Sequence, residues 1–375
     1  MQWNTHKANS PLPFLITYTV PLLAVWGFIQ GGWFNFAVPV YIFVLVPLLD
    51  ALLGTYTYNP TQDETSRLTA NKSFSLIAWP HVPLLLGLVI WGAWALSHLP
   101  LSTVEIIGLT CSIGLCTGGI GINLAHELIH KPTRHERLMG QILLLNVSYM
   151  HFYIEHLFGH HRNVSTPEDP ASARLGESLY RFYFRSVFGS YRSAWQIESK
   201  RLQKKGLGLW SHHNRMLWFA LWPALYATGL TVFFGPAALG FFIAQSIVAF
   251  SLLEGVNYVE HYGLERKKTP QGYYEKVDVV HSWNANQILT NALLFNLQRH
   301  SDHHAHQSRR YQILRQFEQS PQLPTGYAGM LLLATLPPLW RYIMDSRVEN
   351  HMQPLRAAQD QQQAPPSVTV MAPHL

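Results

Sequence analysis

Six long apolar segments constrain the fold of this 375-residue chain more than any other feature of its sequence. Each is close to the roughly 20 residues that an α-helix needs to cross the hydrocarbon core of a bilayer. They cover residues 12–31, 35–54, 76–96, 102–124, 216–235 and 237–258. Only 13% of all residues are charged, whereas about 25% is usual in soluble proteins. The sequence therefore predicts an all-α integral membrane protein with six transmembrane helices.

The links between these segments and their charges predict the topology. The segments fall into three pairs joined by the short links "GGWFN", "SHLPLS" and "GP", which indicates three helical hairpins. Lys and Arg number 1 in residues 1–11, 2 in 55–75, 13 in 125–215 and 11 in 259–375, and the short links contain none. Because positive loops stay on the cytoplasmic side, both termini and the long polar parts 125–215 and 259–350 are predicted to be cytoplasmic.

Three smaller features complete the predicted organisation. Residues 1–350 are expected to form a single membrane-embedded domain, and the Gln-, Ala- and Pro-rich residues 351–375 a disordered tail. The apolar stretch 327–340 contains two prolines and is short, so it predicts an interfacial or packed helix. Asp50 is an ionisable residue inside a span, which makes it a candidate for a position beside a functional cavity, with residues 48–53 on the cavity side.

Histidines are grouped on the predicted cytoplasmic side in four clusters. The clusters are "HELIH" and "EHLFGHH" after the fourth span, "NYVEHYG" after the sixth span, and "HSDHH" further on. Three of them contain histidines four residues apart, which share one face of a helix and can converge on one ion. The nine box histidines are His126, His130, His156, His160, His161, His261, His300, His303 and His304.

This number of histidines predicts a site for two metal ions. A single His-Glu-x-x-His motif is also typical of zinc metalloproteases, where the Glu acts as the general base. Catalytic zinc, however, uses three protein ligands and a water, so nine imidazoles exceed the needs of one ion. Imidazole binds Fe, Zn, Cu and Ni alike, so the spacing leaves the metal open. Carboxylates often orient metal-bound imidazoles. The candidates for this role are Glu127, Glu155, Glu254, Glu260 and Asp302.

The other eleven histidines are interpreted as solvated residues of a basic surface. They lack a partner at metal-binding spacing in a repeated box, although His306 follows the last box by only two residues. These residues are His6, His81, His98, His135, His151, His212, His213, His281, His306, His351 and His374.

Three longer strings resemble a known family. They are "EHLFGHHRNVSTPEDPASARLGES", "NYVEHYGLER" and "LQRHSDHHAHQSRRYQ", and they resemble the alkane 1-monooxygenases within the membrane-bound diiron desaturases and hydroxylases. The resemblance implies two non-haem irons held by the nine box histidines at a cytoplasmic helical cap. It also implies oxidation of linear, medium-chain alkanes to primary alcohols with O2, in the inner membrane of a bacterium. The sequence "HAHQS" departs from the family pattern and leaves the role of His306 open.

The resemblance further implies an external electron donor. The family receives electrons from rubredoxin, which an NAD(P)H-dependent rubredoxin reductase reduces, and the two cysteines of this chain cannot form rubredoxin's four-cysteine iron site. Arg309, Arg310 and residues 200–205 are candidate docking positions on the basic face. No nucleic-acid partner is expected. The alternatives are a related enzyme acting on acyl chains or methyl-aromatics, a membrane zinc protease with Glu127 as base, and a metal transporter.

Overall fold

The computed structural model describes residues 10–363, and within them all regular structure is helical apart from isolated bridges. The helices are α1 Leu12–Gln30, α2 Gly32–Leu53, α3 Gln62–Ala70, α4 Ser73–His98, α5 Thr103–Ile129, α6 Arg134–Leu145, α7 152–163, α8 Leu179–Gln203, α9 Arg215–Phe234, α10 Pro236–His261, α11 Ile288–Leu293, α12 His300–Ala305, α13 Tyr327–Ala334 and α14 Pro337–Gln363. Helices α1, α2, α4, α5, α9 and α10 are long and apolar enough to cross a membrane. The predicted all-α membrane fold with six spans is confirmed.

Glycines and helix caps determine where the paired spans turn. Gly31 separates α1 from α2 with a φ of 75°, and Gly235 separates α9 from α10 with a φ of 93°. Both values lie in the left-handed region, which glycine adopts without a steric penalty. At the start of α5, Ser102 and Glu105 form a capping box, and Glu105 also accepts a hydrogen bond of 2.8 Å from the Gly32 amide. The beginning of α5 is thereby fixed to the α1–α2 turn.

Two spans continue three to five residues past the C-terminal ends that the sequence predicted. The apolar segments end near residues 124 and 258, but α5 continues to Ile129 and α10 to His261. Their last turns are buried against protein, so the helices need no apolar surface there. His126 and His261 consequently lie within these final turns and not beyond them. A Cβ at Gly118 would lie 2.8 Å from the Ala249 carbonyl oxygen, so glycine permits the close approach of α5 and α10.

Helix α14 corrects the expectation for the C-terminal part. It begins at Pro337, because proline fits the first turn of a helix, and it extends to Gln363. Met344, Val348 and Met352 follow each other at helical spacing and are buried in one apolar cluster. This packing explains why residues 351–363 are helical, where the sequence predicted disorder. The rest of the predicted tail, residues 364–375, lies outside the described residues.

Candidate metal centre

The nine box histidines converge at one end of the spans and form two groups. Within each group, one ligand atom of every residue lies within 4.8 Å of those of the others. The five-histidine group consists of His126, His130, His156, His161 and His303. The four-histidine group consists of His160, His261, His300 and His304.

A π-helical turn in α7 divides the second box between the two groups. The turn covers His156–His160, and its backbone hydrogen bonds bring residues five apart toward the same face. As a result, His156 shares a group with His161, and their Nε2 atoms are 3.0 Å apart. His160 points into the other group. The spacing had suggested that His156 and His160 converge; the π-turn explains the difference.

Helix α12 serves both groups in a different way. Its first and fifth residues, His300 and His304, share a face as the i, i+4 spacing predicts, and their Nε2 atoms are 2.9 Å apart. His303 is turned away from them and places its Nε2 3.1 Å from the Nε2 of His161. The two groups are therefore neighbours that draw on the same two helices, α7 and α12.

The spacing of the nitrogens suits a shared cation. The Nε2 atoms of His130, His156 and His161 form a triangle with sides of 3.0, 3.0 and 3.1 Å. Two nitrogens bound at about 2.1 Å to one ion and at right angles lie about 3.0 Å apart. A neutral imidazole has a single N–H, so lone pairs must face one another around such a triangle. A metal ion among them satisfies these lone pairs, and the donors fit one.

Burial keeps these imidazoles in the form that binds metals. It lowers the pKa of His130, His156 and His161 well below the usual value, and nearby imidazoles lower it further. The same causes act on the pKa of His300, His303 and His304. Because metal coordination requires a deprotonated nitrogen, no proton has to be displaced at neutral pH.

Asp169 orients a box histidine, and the sequence interpretation missed it. Its Oδ2 accepts a hydrogen bond of 2.8 Å from His160 Nδ1 and one of 2.6 Å from Ser172 Oγ. Although burial alone would raise the pKa of Asp169, its contact with His160 lowers it. The Nε2 of His160 has no protein partner among residues 10–363 and faces its group. The only available sequence signal was the acidic "PEDP" shortly after the second box.

Of the five carboxylates singled out from the sequence, Glu260 contacts a box histidine. Its Oε2 lies 3.1 Å from His300 Nε2. Glu127 instead pairs with Lys131 at 2.7 Å and accepts from the Tyr311 amide. Glu155 is buried beside Gly159, where a Cβ would lie 2.6 Å from its Oε1. Burial and the neighbouring acids raise the pKa of Glu155.

The remaining two carboxylates hold structure around the centre. Glu254 accepts hydrogen bonds from Tyr149 Oη at 2.7 Å and Ser186 Oγ at 2.5 Å. Asp302 binds Arg309 and accepts from the Arg315 amide at 2.8 Å and from His306 Nδ1 at 3.0 Å. Asp302 therefore fixes the segment that follows α12.

The histidines outside the boxes lie in varied surroundings. His306 is half exposed and belongs to neither metal group. The interpretation as solvated residues is wrong for His81, His151 and His281, which are buried. The ring of His81, for example, packs 4.1 Å from the Tyr18 ring, and its Nδ1 bonds to the backbone carbonyls of Ile77 and Ala78. The predictions for His6 and His374 concern positions outside the described residues.

An apolar cavity ends at the metal centre. It comprises about 910 Å³ of space not filled by atoms, part of which is open to the surroundings, and it lies between the spans α1, α2, α5 and α10 and helices α7, α11 and α13. Three box histidines from both groups, His126, His156 and His300, form part of its wall. Most of the remaining wall consists of aliphatic side chains and glycine. The aliphatic and glycine residues include Val20, Ile42, Val46, Leu115, Gly118, Gly119, Leu252, Leu253, Val256 and Leu331.

Asp50 lies outside the cavity and stabilises part of its wall through hydrogen bonds. It is buried and accepts hydrogen bonds from the Leu289 amide at 2.8 Å and from the Thr290 hydroxyl and amide. Thr290 lines the cavity, so Asp50 fixes one wall without reaching the interior. The expectation that residues 48–53 face the cavity is wrong: Leu48 and Leu52 are 59% and 82% exposed and point outward.

Comparison with known proteins identifies the family. The sequence model of the family described as fatty acid desaturase matches residues 102–333. The alkane 1-monooxygenase 2 of Pseudomonas aeruginosa is 43% identical over 343 residues, which cover 88% of this chain and 91% of that protein. This chain belongs to the alkane 1-monooxygenase family. An alkane 1-monooxygenase of Acinetobacter baylyi is 40% identical over 84% of this chain and 76% of that protein.

A more distant relative belongs to a neighbouring group. The hydroxylase component of xylene/toluene monooxygenase from Pseudomonas putida is 28% identical over 86% of this chain and 85% of that protein. Membership in the alkane 1-monooxygenase family confirms the resemblance that the histidine strings carry. The zinc-protease alternative loses its base, because Glu127 pairs with Lys131.

Proposed function

We propose that this protein hydroxylates the terminal methyl group of linear, medium-chain alkanes, with O2 and electrons from a reduced rubredoxin. The observation that carries the proposal is an apolar cavity that ends on histidines of two metal groups. Relatives named alkane 1-monooxygenase, at 40–43% identity, support the same activity. The overall change converts an alkane, O2, two electrons and two protons into a primary alcohol and water.

Each histidine group would hold one iron ion. His126, His130, His156, His161 and His303 would supply five nitrogens to the first ion, and His160, His261, His300 and His304 four to the second. When bound, two irons supply the activation of O2 that this reaction requires. The donor set alone suits several metals, so family membership favours iron.

The cavity would select its substrate by burial. An alkane offers no polar group to bind, and each buried CH2 contributes about 0.8 kcal/mol. A chain that fills the aliphatic part of the cavity brings its end to His126, His156 and His300, which form part of the same wall. The buried surroundings keep bulk water from the terminal carbon. The length of the cavity therefore sets both the preferred length of the alkane and the carbon atom that reacts.

Orientation in the inner membrane is part of the proposal. The Lys and Arg distribution supports a cytoplasmic position for both termini and for the metal centre, where a soluble electron donor has access. Residues 200–205 remain candidate docking positions, while Arg309 and Arg310 pair with Asp302 and Glu136. A reporter enzyme that works only outside the cytoplasm can be fused to the C-terminus. Activity of this fused reporter would contradict the orientation.

Metal analysis combined with product analysis tests the function. The purified protein should contain about two irons per chain, and cells expressing it with rubredoxin and its reductase should convert octane to 1-octanol. His126→Ala and His303→Ala should lose iron and activity while the protein still inserts into the membrane. His306→Ala is the matched control, because it removes an imidazole outside both groups.

Different substrates separate this function from its nearest alternatives. Octane, a xylene and an acyl substrate are supplied to the same cells, and the products are compared. Exclusive oxidation of the xylene, or desaturation of the acyl chain, would contradict alkane hydroxylation. Full iron content in both histidine variants would contradict the assignment of the ligands.

A further inference from the structure

A second cavity lies beside the start of α1 and the end of α2. It is separate from the apolar cavity that ends at the metal centre. It comprises about 720 Å³ of space not filled by atoms, part of which is open to the surroundings, next to the segment 56–60 and helix α11. Pro13, Phe14, Ile288 and Ala292 give it an apolar side. It lies where α1 begins and α2 ends, which is the depth of the lipid headgroups if these helices span the bilayer.

A buried guanidinium without a counter-ion lines this cavity. Arg299 is 5% exposed, and it donates to the carbonyl oxygens of Leu314 at 2.7 Å and Tyr56 at 3.1 Å. Its Nε has no hydrogen-bond partner among the described residues, and no ion pair joins it to a carboxylate whose side chain the structure describes. The nearby carboxylate of Asp302 is bound to Arg309. Residues 1–9 contain no Asp or Glu that could supply the missing charge.

This buried charge is costly unless a ligand offsets it. The guanidinium remains charged at neutral pH, because an arginine side chain is not deprotonated in a protein. A buried charge is normally paired, because its desolvation costs several kcal/mol. The protein supplies two carbonyl acceptors and the Tyr56 ring, whose centre is 5.8 Å away, while the nearest carboxylate, that of Asp302, attracts Arg299 without contacting it.

Other polar atoms of the cavity wall lack hydrogen-bond partners. Asn291 Oδ1, Gln312 Oε1 and Tyr56 Oη are buried and have no partner among the described residues. The amide groups cannot be reversed without loss, because Asn291 Nδ2 donates to Ala285 and Gln287 and Gln312 Nε2 to Leu68. The complementary ligand therefore carries a negative charge together with hydroxyl or ammonium donors.

We propose that this cavity binds the headgroup of an anionic phospholipid. The phosphate would accept from Arg299 Nε, since guanidinium and phosphate form strong charge-assisted hydrogen bonds. Headgroup hydroxyls would donate to Asn291 Oδ1 and Gln312 Oε1, and the acyl chains would leave along Phe14 and Ala292. Inorganic phosphate offers the same charge but gains nothing from the apolar side of the cavity.

Lipid binding to the purified full-length protein tests this site. The protein is stripped of lipid in a neutral detergent, and phosphatidylglycerol or inorganic phosphate is then added. Native mass spectrometry counts retained lipids, and the melting temperature reports the effect of binding. The variants are Arg299→Gln, which removes the charge, and Ala292→Phe, which fills the apolar side. Arg192→Gln, the same change at an exposed position, is the control.

The expected result is one tightly held phosphatidylglycerol per chain and a higher melting temperature. Arg299→Gln should weaken this binding at least about tenfold, equivalent to about 1.4 kcal/mol. Ala292→Phe should also weaken lipid binding, and this variant leaves Arg299, the residue next to His300, unchanged. A response to inorganic phosphate as large as that to the lipid would assign the site to free phosphate and overturn the lipid proposal. Unchanged lipid binding in both variants would overturn the site itself.

Discussion

Replacing Asp169 with asparagine should weaken metal binding at one group of histidines and not at the other. The carboxylate of Asp169 is the only hydrogen-bond partner of the His160 imidazole within the described residues, and it fixes which ring nitrogen carries the proton. With Nδ1 protonated, Nε2 is left as the metal-binding atom of the four-histidine group. The five-histidine group has no contact with Asp169.

The size of this effect follows from the hydrogen bonds that change. Loss of a partner behind a metal-bound histidine typically costs 10- to 100-fold in affinity. The asparagine side chain would still accept from Nδ1 through its amide oxygen, but as a neutral group it forms a bond of about half the strength. We therefore expect a loss of about tenfold for Asp169→Asn, or about 1.4 kcal/mol. Asp169→Ala removes the acceptor altogether and should approach a 100-fold loss.

Competition with a chelator measures these losses. Iron remaining on the protein is followed as the chelator concentration rises, and the variant should release about half of its iron at a lower concentration than the wild type. Ser172→Ala is the control, because it removes one hydrogen bond to Asp169 but leaves the carboxylate. Its release curve should stay near that of the wild type. Equal weakening of both ions in Asp169→Asn, or no weakening, would refute the reasoning.

Two further predictions concern substrate length and stability. Gly119 lines the apolar cavity at the metal centre, and a Cβ there would contact only Leu252, at 3.5 Å. Gly119→Val should therefore shift the whole-cell products toward shorter alcohols. Gly87→Val, outside the cavity, is the control and should leave the products unchanged. An unchanged product profile would exclude this wall as a length limit. Burial alone would raise the pKa of Glu198, but Arg201 and Arg215 lower it to about 2. Glu198→Gln should therefore lower the free energy of unfolding at neutral pH by about 1–2 kcal/mol, less than the full pKa shift implies, because solvent screens the partly exposed arginines. Its melting-temperature difference from the wild type should shrink as the pH falls from about 4.5 toward 2, and a constant difference would contradict this pairing.

The sequence predicted those features that depend on local composition. Hydrophobic length was sufficient for the six spans, and repeated histidine spacing was sufficient to bring His126, His156 and His300 into one region, whereas His261 came from the family resemblance. Helix ends were less predictable. The last turns of α5 and α10 carry polar residues such as Glu127 and Glu260, which a hydropathy window excludes, yet tertiary contacts bury both.

Features that depend on side-chain direction could not be predicted. Four of the five suggested carboxylates are direct sequence neighbours of a box histidine, but only the Glu260 side chain contacts a box histidine. Asp169 does so from nine residues beyond His160, because the chain folds back after α7. The prediction of disorder for residues 351–363 was wrong for a similar reason. Their composition is polar, but Met352 and the helix before it supply enough buried surface to maintain α14.

The π-turn at His156–His160 separates two adjacent histidines, His160 and His161, between the two halves of the metal centre. It contains one more residue per hydrogen-bonded ring than an α-helix, so it can be relaxed by removing a single residue. Deletion of Phe158, half of whose side chain is exposed, would leave His156 and His161 four residues apart in an ordinary α-helix, where they would still share one face. The extra residue of the turn therefore changes the length of chain between the ligands without turning His161 away from its group.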